Sequence, residues 1–320
     1  MPIYTGSSKH LGGTETVTRR QENYYGLVQK NVLITGANGQ LGNELRKRQE
    51  MSNNSFYFIF TDMGELDITD ARQVDDFVRE HSIRYIVNCA AYTAVDKAEE
   101  DVETAYRVNY NGPENLAVAA NKHDAKMIHI STDYVFDGKS VIPYLENVRS
   151  NPQSVYGKSK LKGEEAILEA LHDAIIIRTS WLYSEFGNNF VKTMIRLMNE
   201  SDELNIVADQ KGSPTYAADL AEMILVIMED AEQTEWKPGI YHFSNAGETT
   251  WFHFAAKIKE LAGIERCTLN PIKTEEYKTV AERPAYSVMD IFKIKNTFHV
   301  EVPKWDEALE RCIGKLKINN

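Results

Sequence analysis

Tyr156 and Lys160 stand four residues apart in Ser154-Val155-Tyr156-Gly157-Lys158-Ser159-Lys160. On a helix that spacing puts a phenol and an ammonium on one face. A free tyrosine titrates at about 10, too high for easy proton exchange at neutral pH. A neighbouring ammonium favours the phenolate and lowers that value, which suits general acid–base work. Such pairs also arise by chance, so a second hydroxyl matters. Ser131-Thr132-Asp133-Tyr134 lies upstream, at the end of an apolar run. Thr132 on its own reads equally as a turn cap, but a hydroxyl at a strand's carboxyl end borders the ligand crevice of an open α/β sheet and can meet the phenol there.

A third element is Gly36-Ala37-Asn38-Gly39-Gln40-Leu41-Gly42, which directly follows another apolar run. Gly36 permits a tight turn, Gly39 allows backbone to approach a pyrophosphate, and Gly42 allows close helix–sheet packing. A helix that starts there offers free N–H groups and its positive dipole end to an anion. The second apolar run ends in Asp62, about twenty residues on, where an acid accepts hydrogen bonds from ribose hydroxyls and repels a 2′-phosphate. Asp62 could instead be a turn residue. Taken together these features predict dinucleotide binding, with NADH favoured over NADPH.

The elements that must position these groups follow from hydrophobic patterning. Short β-branched runs at 31–36, 56–62, 84–90, 126–131 and 174–179 alternate with helical stretches at 40–49, 71–80, 102–123 and 156–171. Near-continuous apolar strands separated by helices indicate a parallel sheet buried on both faces. The fold class is therefore α/β, a doubly wound Rossmann sheet. Beyond residue 180 the alternation weakens to helical stretches at 188–199, 217–228 and 251–261 and a strand-like run at 240–244. The expected organisation is an N-terminal extension over 1–29, a dinucleotide-binding domain over 30–180 and a smaller α/β substrate-binding domain over 181–320, with part of 213–245 returning to the first.

The chain has 320 residues and a formal net charge of -11, which opposes binding to nucleic acid or anionic membrane, since both need clustered cations. A small anion needs only a few donors. Cys89, Cys267 and Cys312 form no paired spacing, so neither a disulfide framework nor a bound metal is expected, and a reduced, cytoplasmic compartment is. No apolar run has the length of a membrane span. The first thirty residues include Lys9, Arg19 and Arg20 without an apolar core, unlike a secretory signal.

With these residues in place, the chain resembles the extended short-chain dehydrogenase/reductases, and among them the dTDP-4-dehydrorhamnose reductase family. The likeness covers about residues 30–310 and rests on 36–42, VNCAAYTAVDKAE (87–99), STDYVFDG (131–138), YGKSK (156–160), RTSWLY (178–183), GNNF (187–190) and ERP (282–284). It implies NAD(P)H-dependent reduction of a nucleotide-linked 4-keto-6-deoxysugar. Tyr156 would be the general acid, Lys160 would lower its pKa and hold the nicotinamide ribose, and Thr132 would orient the carbonyl. Thr93, Tyr134 and Trp181 would line the sugar pocket, Trp181 reading alternatively as core. Asn188, Asn189 and Arg283 would take the diphosphate, with an exposed ion pair as the other reading of Arg283. Asp96 and Lys97 follow the third strand, and Asn109, on the helix after it, would buttress Lys160. The cofactor site is expected to include Gly36, Asn38, Gly39, Gln40, Leu41, Gly42, Asp62, Asp67, Ala90, Ala91 and Lys160. Some relatives join subunits through metal-bound acids. Ala218 stands where such a carboxylate belongs, so a monomer or another homodimer is expected. Competing functions are a related nucleotide-sugar epimerase or dehydratase, and a non-catalytic dinucleotide-binding regulatory subunit.

Overall fold

A computed structural model describes residues 29–49 and 56–318. The expected extension over 1–29 lies, apart from Gln29, outside them. The chain begins with β1 (Lys30–Thr35), α1 (Gln40–Gln49), β2 (Phe56–Thr61), α2 (Ala71–Glu80) and β3 (Ile83–Asn88). Two short helices follow, α3 (Val95–Ala98) and α4 (Val102–Tyr106), then a π-helical turn (Arg107–Asn111) leading into α5 (Gly112–Lys122). The expected single helix over 102–123 is thus broken by that turn at Asn109, a place where wide turns accompany functional residues. Next come β4 (Lys126–Thr132), α6 (Val155–Ala170), β5 (Ile175–Thr179), β6 (Leu182–Tyr183), α7 (Phe190–Glu200) and β7 (Glu203–Val207). The remainder is β8 (Lys211–Gly212), β9 (Thr215–Tyr216), α8 (Ala217–Gln233), β10 (Gly239–His242), β11 (Thr249–Thr250), α9 (Trp251–Ala262), β12 (Thr268–Ile272), α10 (Phe292–Phe298) and α11 (Trp305–Ile318).

Six strands form one sheet in the order β10-β5-β4-β3-β1-β2, parallel throughout. Strand alternation feeds both faces. Val32 and Ile34 point into a core with Leu41 and Leu45 of α1 and Leu220 and Ile224 of α8. Leu33 and Ile86 point the other way, toward Val74 of α2, Leu116 of α5 and Ile167 of α6. The order reverses between β1 and β3, and the crevice outside a switch point is where such sheets bind ligands. A third core gathers Tyr183, Val191, Met198, Tyr216, Phe254 and Leu309 from the C-terminal elements. There β7 and β12 pair in parallel.

The strand-like run at 240–244, inside the 213–245 segment that the sequence expectation returned in part to the first domain, lies beside β5 in the main sheet, with Ile240 opposite Ile176. Polar contacts stitch the two parts together. Glu44 of α1 is fully buried and accepts from Ser184 Oγ at 2.8 Å. Burial and the nearby Glu185 carboxyl raise Glu44 to about 7. Among the described residues no helix is long and apolar enough to cross a membrane.

Candidate active site

A crevice of about 860 Å³ opens at the carboxyl ends of the strands. The predicted groups converge on it: Gly36, Gly39, Gln40, Leu41, Asp62, Asp67, Ala90, Ala91, Thr93, Thr132, Tyr134, Tyr156, Lys160, Trp181, Asn188 and Asn189 all line it. Asn38, Gly42 and Arg283 do not. Asn38 stands behind the turn, its backbone N–H donating to Asp62 Oδ2 at 3.0 Å, while Met63 N donates to Asp62 Oδ1 at 2.9 Å. Asp62 is therefore pinned against the glycine turn at the end of β2.

Gly36 has φ +64, and a Cβ there would lie 2.6 Å from Ala90 N. Only glycine combines that backbone conformation with so close an approach to the chain leaving β3. At Gly42 a Cβ would lie 2.5 Å from Ala37 Cα, so the close packing is of α1 on its own turn rather than on the sheet. The open first turn of α1, the missing side chains and the acid at the end of β2 make a cradle that fits a dinucleotide pyrophosphate and ribose.

Tyr156 lies in the first turn of α6. Ser154 caps the helix, its Oγ accepting from Gly157 N at 3.1 Å, and Val155 N donates to Glu99 Oε1 at 2.9 Å. The Tyr156 ring packs edge-on against Tyr134 at 5.4 Å. Burial pushes its phenol up to about 12, with the Thr132 hydroxyl opposing by hydrogen bonding and Asp133 reinforcing. Thr132 does double duty, since it also caps the following 3-10 turn by accepting from Tyr134 N at 3.2 Å and donates to Asp133 Oδ1 at 3.0 Å. Burial raises the Asp133 carboxyl to about 6.

Lys160 departs from its expected part. Its ammonium site is buried and turned to β4, donating to Ile130 O at 2.7 Å and lying 3.2 Å from His129 Nε2. Four-residue spacing fixes a shared helix face but not the rotamer of a long side chain, and here a strand carbonyl takes the ammonium. Burial lowers Lys160 to about 8, against the pull of Glu164 and Cys89.

Asn109 is fully buried and holds the loop after β3 rather than Lys160. Its Oδ1 accepts from Tyr92 N at 2.8 Å, and its Nδ2 donates to Tyr92 O and Ser159 Oγ, each at 3.1 Å. Asn189 caps α7 and spends its amide inside the protein, donating to Gln40 Oε1 at 3.0 Å and Ser184 O at 2.7 Å. Asn188 beside it is exposed. Arg283 forms an ion pair with Asp96 at 2.5 Å, the alternative reading of that residue. Its Nη1 is buried without a partner, and it lies against Tyr134 in a small recess beside the crevice. Lys97, next to Asp96, is exposed. Trp181 is half-buried and stacks on Trp251 with ring centroids 3.5 Å apart. Its φ of +46 is uncommon for a bulky side chain and is the kind of strain that gathers at ligand sites. Ala218 is buried in α8, and the adjacent Asp219 is held by Arg311 at 2.6 Å.

Sequence reading missed two buried polar residues, Asn88 and His129. Both interrupt otherwise apolar strands, which is the one signal that marks them.

A family model described as RmlD substrate binding domain matches residues 30–318. The chain is 42% identical over 285 residues to a dTDP-4-dehydrorhamnose reductase of Aggregatibacter actinomycetemcomitans, covering 87% of this chain and 97% of the relative. A crystal structure of a dTDP-4-dehydrorhamnose reductase from Clostridium acetobutylicum superposes with a TM-score of 0.85 at 42% identity, covering 90% of this chain and 99% of that one. The corresponding enzyme of Bacillus anthracis, crystallised in complex with NADP, gives 0.84 at 43% identity over 90% of this chain and all of its own.

Proposed function

The chain belongs to the RmlD substrate-binding-domain family, and on that premise we propose that it reduces the C4 keto group of dTDP-4-dehydro-L-rhamnose to dTDP-L-rhamnose with NADH or NADPH. The observation that carries this reading is the meeting, in one crevice, of Thr132 and Tyr156 with the glycine turn and Asp62. A bound nicotinamide supplies the hydride that reaches C4. The protein's own part is to orient and to protonate. Thr132 and Tyr156 offer two hydroxyls to the sugar carbonyl. A phenol raised to about 12 holds its proton throughout the physiological range and gives it to the alkoxide that develops at C4. Thr93, Tyr134 and Trp181 enclose the sugar, and Asn188 and Arg283 supply polar contact for the nucleotide diphosphate. Guanidinium suits phosphate because its planar fork donates two hydrogen bonds at once. Asn189 contributes by holding Gln40 and α7 in place.

We place the enzyme in the cytoplasm, making nucleotide sugar for polysaccharide, as a monomer or homodimer without a nucleic-acid or membrane partner. The net charge of -11 and three unpaired cysteines support this. The decisive assay follows loss of reduced-nicotinamide absorbance with dTDP-4-dehydro-L-rhamnose against other 4-keto sugar nucleotides. Net oxidation with the rhamnose precursor is expected. Turnover of sugar without net oxidation would point to an epimerase or dehydratase, and dinucleotide binding without turnover to a regulatory subunit.

Asp62 carries the cofactor preference. Its carboxylate, fixed by two backbone N–H groups, favours a free ribose 2′-hydroxyl over a 2′-phosphate. Asp62→Ser is expected to shift the NADH-to-NADPH ratio of kcat/KM toward NADPH by about tenfold, the worth of one lost charged contact of about 1.4 kcal/mol. Steady-state kinetics with both cofactors measure it, and an unchanged ratio removes Asp62 from the ribose site.

A further inference from the structure

Beneath the crevice a file of buried polar side chains crosses the sheet: Thr35 on β1, Asn88 on β3, His129 on β4 and Lys160 on α6. Thr35 Oγ1 donates to Asn88 Oδ1 at 2.7 Å. Ala90 N donates to the same oxygen at 3.1 Å. A backbone N–H can only donate, so the Asn88 oxygen must face it, which turns Asn88 Nδ2 to His129 Nδ1 at 2.9 Å. An amide nitrogen likewise only donates. His129 Nδ1 is therefore the acceptor, and the ring's single proton sits on Nε2, 3.2 Å from Lys160 Nζ.

We propose that His129, locked by Asn88 as its Nε2–H tautomer, is a positioning residue that turns a donor toward Lys160 and weakens the lysine's hold on its third proton. When that proton leaves, Lys160 has its lone pair toward His129 and one N–H toward Ile130 O, so every polar atom in the file then has a partner. This rests on the reading of the crevice, which Lys160 lines, as a reductase's proton-donating site, and adds what governs the lysine's proton.

The groups that face Lys160 agree. Glu164, one turn along α6, favours the ammonium, but it is already committed to Arg178 and Ser131. Cys89, after β3, is kept a neutral thiol by burial, which raises it to about 12. His129 is itself held well below the usual imidazole range by burial and by Lys160, so it is never an imidazolium at working pH. Burial and the Nε2–H donor together favour a lysine that exchanges its proton near neutrality, where an ordinary ammonium would not.

The first step reads the wild-type protein, with one variant serving only to assign its signal. In the full chain with isotope-labelled histidine, long-range proton–nitrogen correlation spectra report which ring nitrogen carries the proton. The His129 signal is assigned by its disappearance in His129→Gln. A protonated Nε2 and bare Nδ1 at neutral pH are expected. The Nδ1–H tautomer or an imidazolium would overturn the proposal. Asn88→Asp then gives Nδ1 an acceptor and inverts the tautomer, while His129→Gln offers Lys160 an amide oxygen. Both should move the Lys160 titration, followed with carbon-labelled lysine, upward by about one unit. The limb of the kcat/KM pH profile that tracks this lysine should move with it. Because only one variant adds charge, a shift shared by both belongs to the lost donor, and two unmoved titrations would sink the idea. Should the expected tautomer be found in an enzyme that turns over no sugar nucleotide, the reductase reading fails while the His129 assignment stands.

Discussion

Tyr156→Phe is expected to lower turnover of dTDP-4-dehydro-L-rhamnose by ~100- to 10,000-fold, the range spanned by a positioned general acid, while dinucleotide affinity is unchanged. The change removes one oxygen and leaves the edge-on packing against Tyr134 intact. Ser154 still caps α6 through Gly157, so the helix keeps its start. Thr132 remains as the sole hydroxyl of the pair, and an aliphatic hydroxyl is a far weaker acid than a phenol, which makes it a poor substitute. The glycine turn and Asp62 sit across the crevice and do not touch the phenol. A variant that binds cofactor normally and fails to oxidise it therefore separates chemistry from binding. Because burial holds the wild-type phenol near 12, reduction should not lose its proton donor on the alkaline side until well above physiological pH. Single-turnover oxidation of bound cofactor measures both points. Wild-type turnover in Tyr156→Phe would end the assignment of Tyr156 as the acid.

What could be read from sequence was set by local patterning. Five of the six sheet strands are near-continuous apolar runs with helices between them, and two-faced burial of a parallel sheet demands that pattern. The glycine turn was readable because only glycine meets the backbone requirement at Gly36, whose φ is +64. β7 and β12 were not readable. They form a two-stranded ladder with exposed positions at Glu203 and Thr268, so neither carries a continuous apolar signal. The break at Asn109 was hidden because a π turn keeps helical composition. Side-chain direction was the deepest gap. Lys160 shares a face with Tyr156 yet reaches for Ile130 O, and Asn189 lines the crevice while its amide bonds inward. Both outcomes depend on atoms from strands and loops far away in sequence. His129 and Asn88 show the converse, since a polar residue inside an apolar strand announces a buried partner without saying which.

The largest effect on stability is expected from Arg178→Met. Arg178 and Glu164 are both buried, at 3% and 2% side-chain exposure, and meet at 2.6 Å. Arg178 also packs its guanidinium over Phe136 at 5.1 Å, and Glu164 accepts from Ser131 next to Thr132. Methionine fills much of the arginine's volume but leaves a carboxylate in the protein interior without its counter-charge. Breaking such a pair costs about 3–5 kcal/mol, chiefly because the surviving ion is stranded. The pH dependence identifies the cause. An unpaired buried carboxyl has its folded-state pKa raised above the unfolded value of about 4.3. Its penalty is therefore full above that raised value and is relieved as pH falls toward the unfolded one. Arg178→Met should thus lose its stability deficit on acidification, measured by urea unfolding across the range. The double variant Arg178→Met with Glu164→Met removes both charges and should recover most of the loss, because two apolar side chains of similar volume replace the pair at little net cost. A deficit that is equal at all pH values, or that grows in the double variant, would mean that packing around Phe136 and Ser131, rather than the stranded charge, is what Arg178 supplies. The pair borders β4 and α6, which carry Thr132, Tyr156 and Lys160. The double variant is therefore also expected to bind dinucleotide as the wild type does, which places the ion pair under the site as its support and leaves the chemistry to the hydroxyls above it.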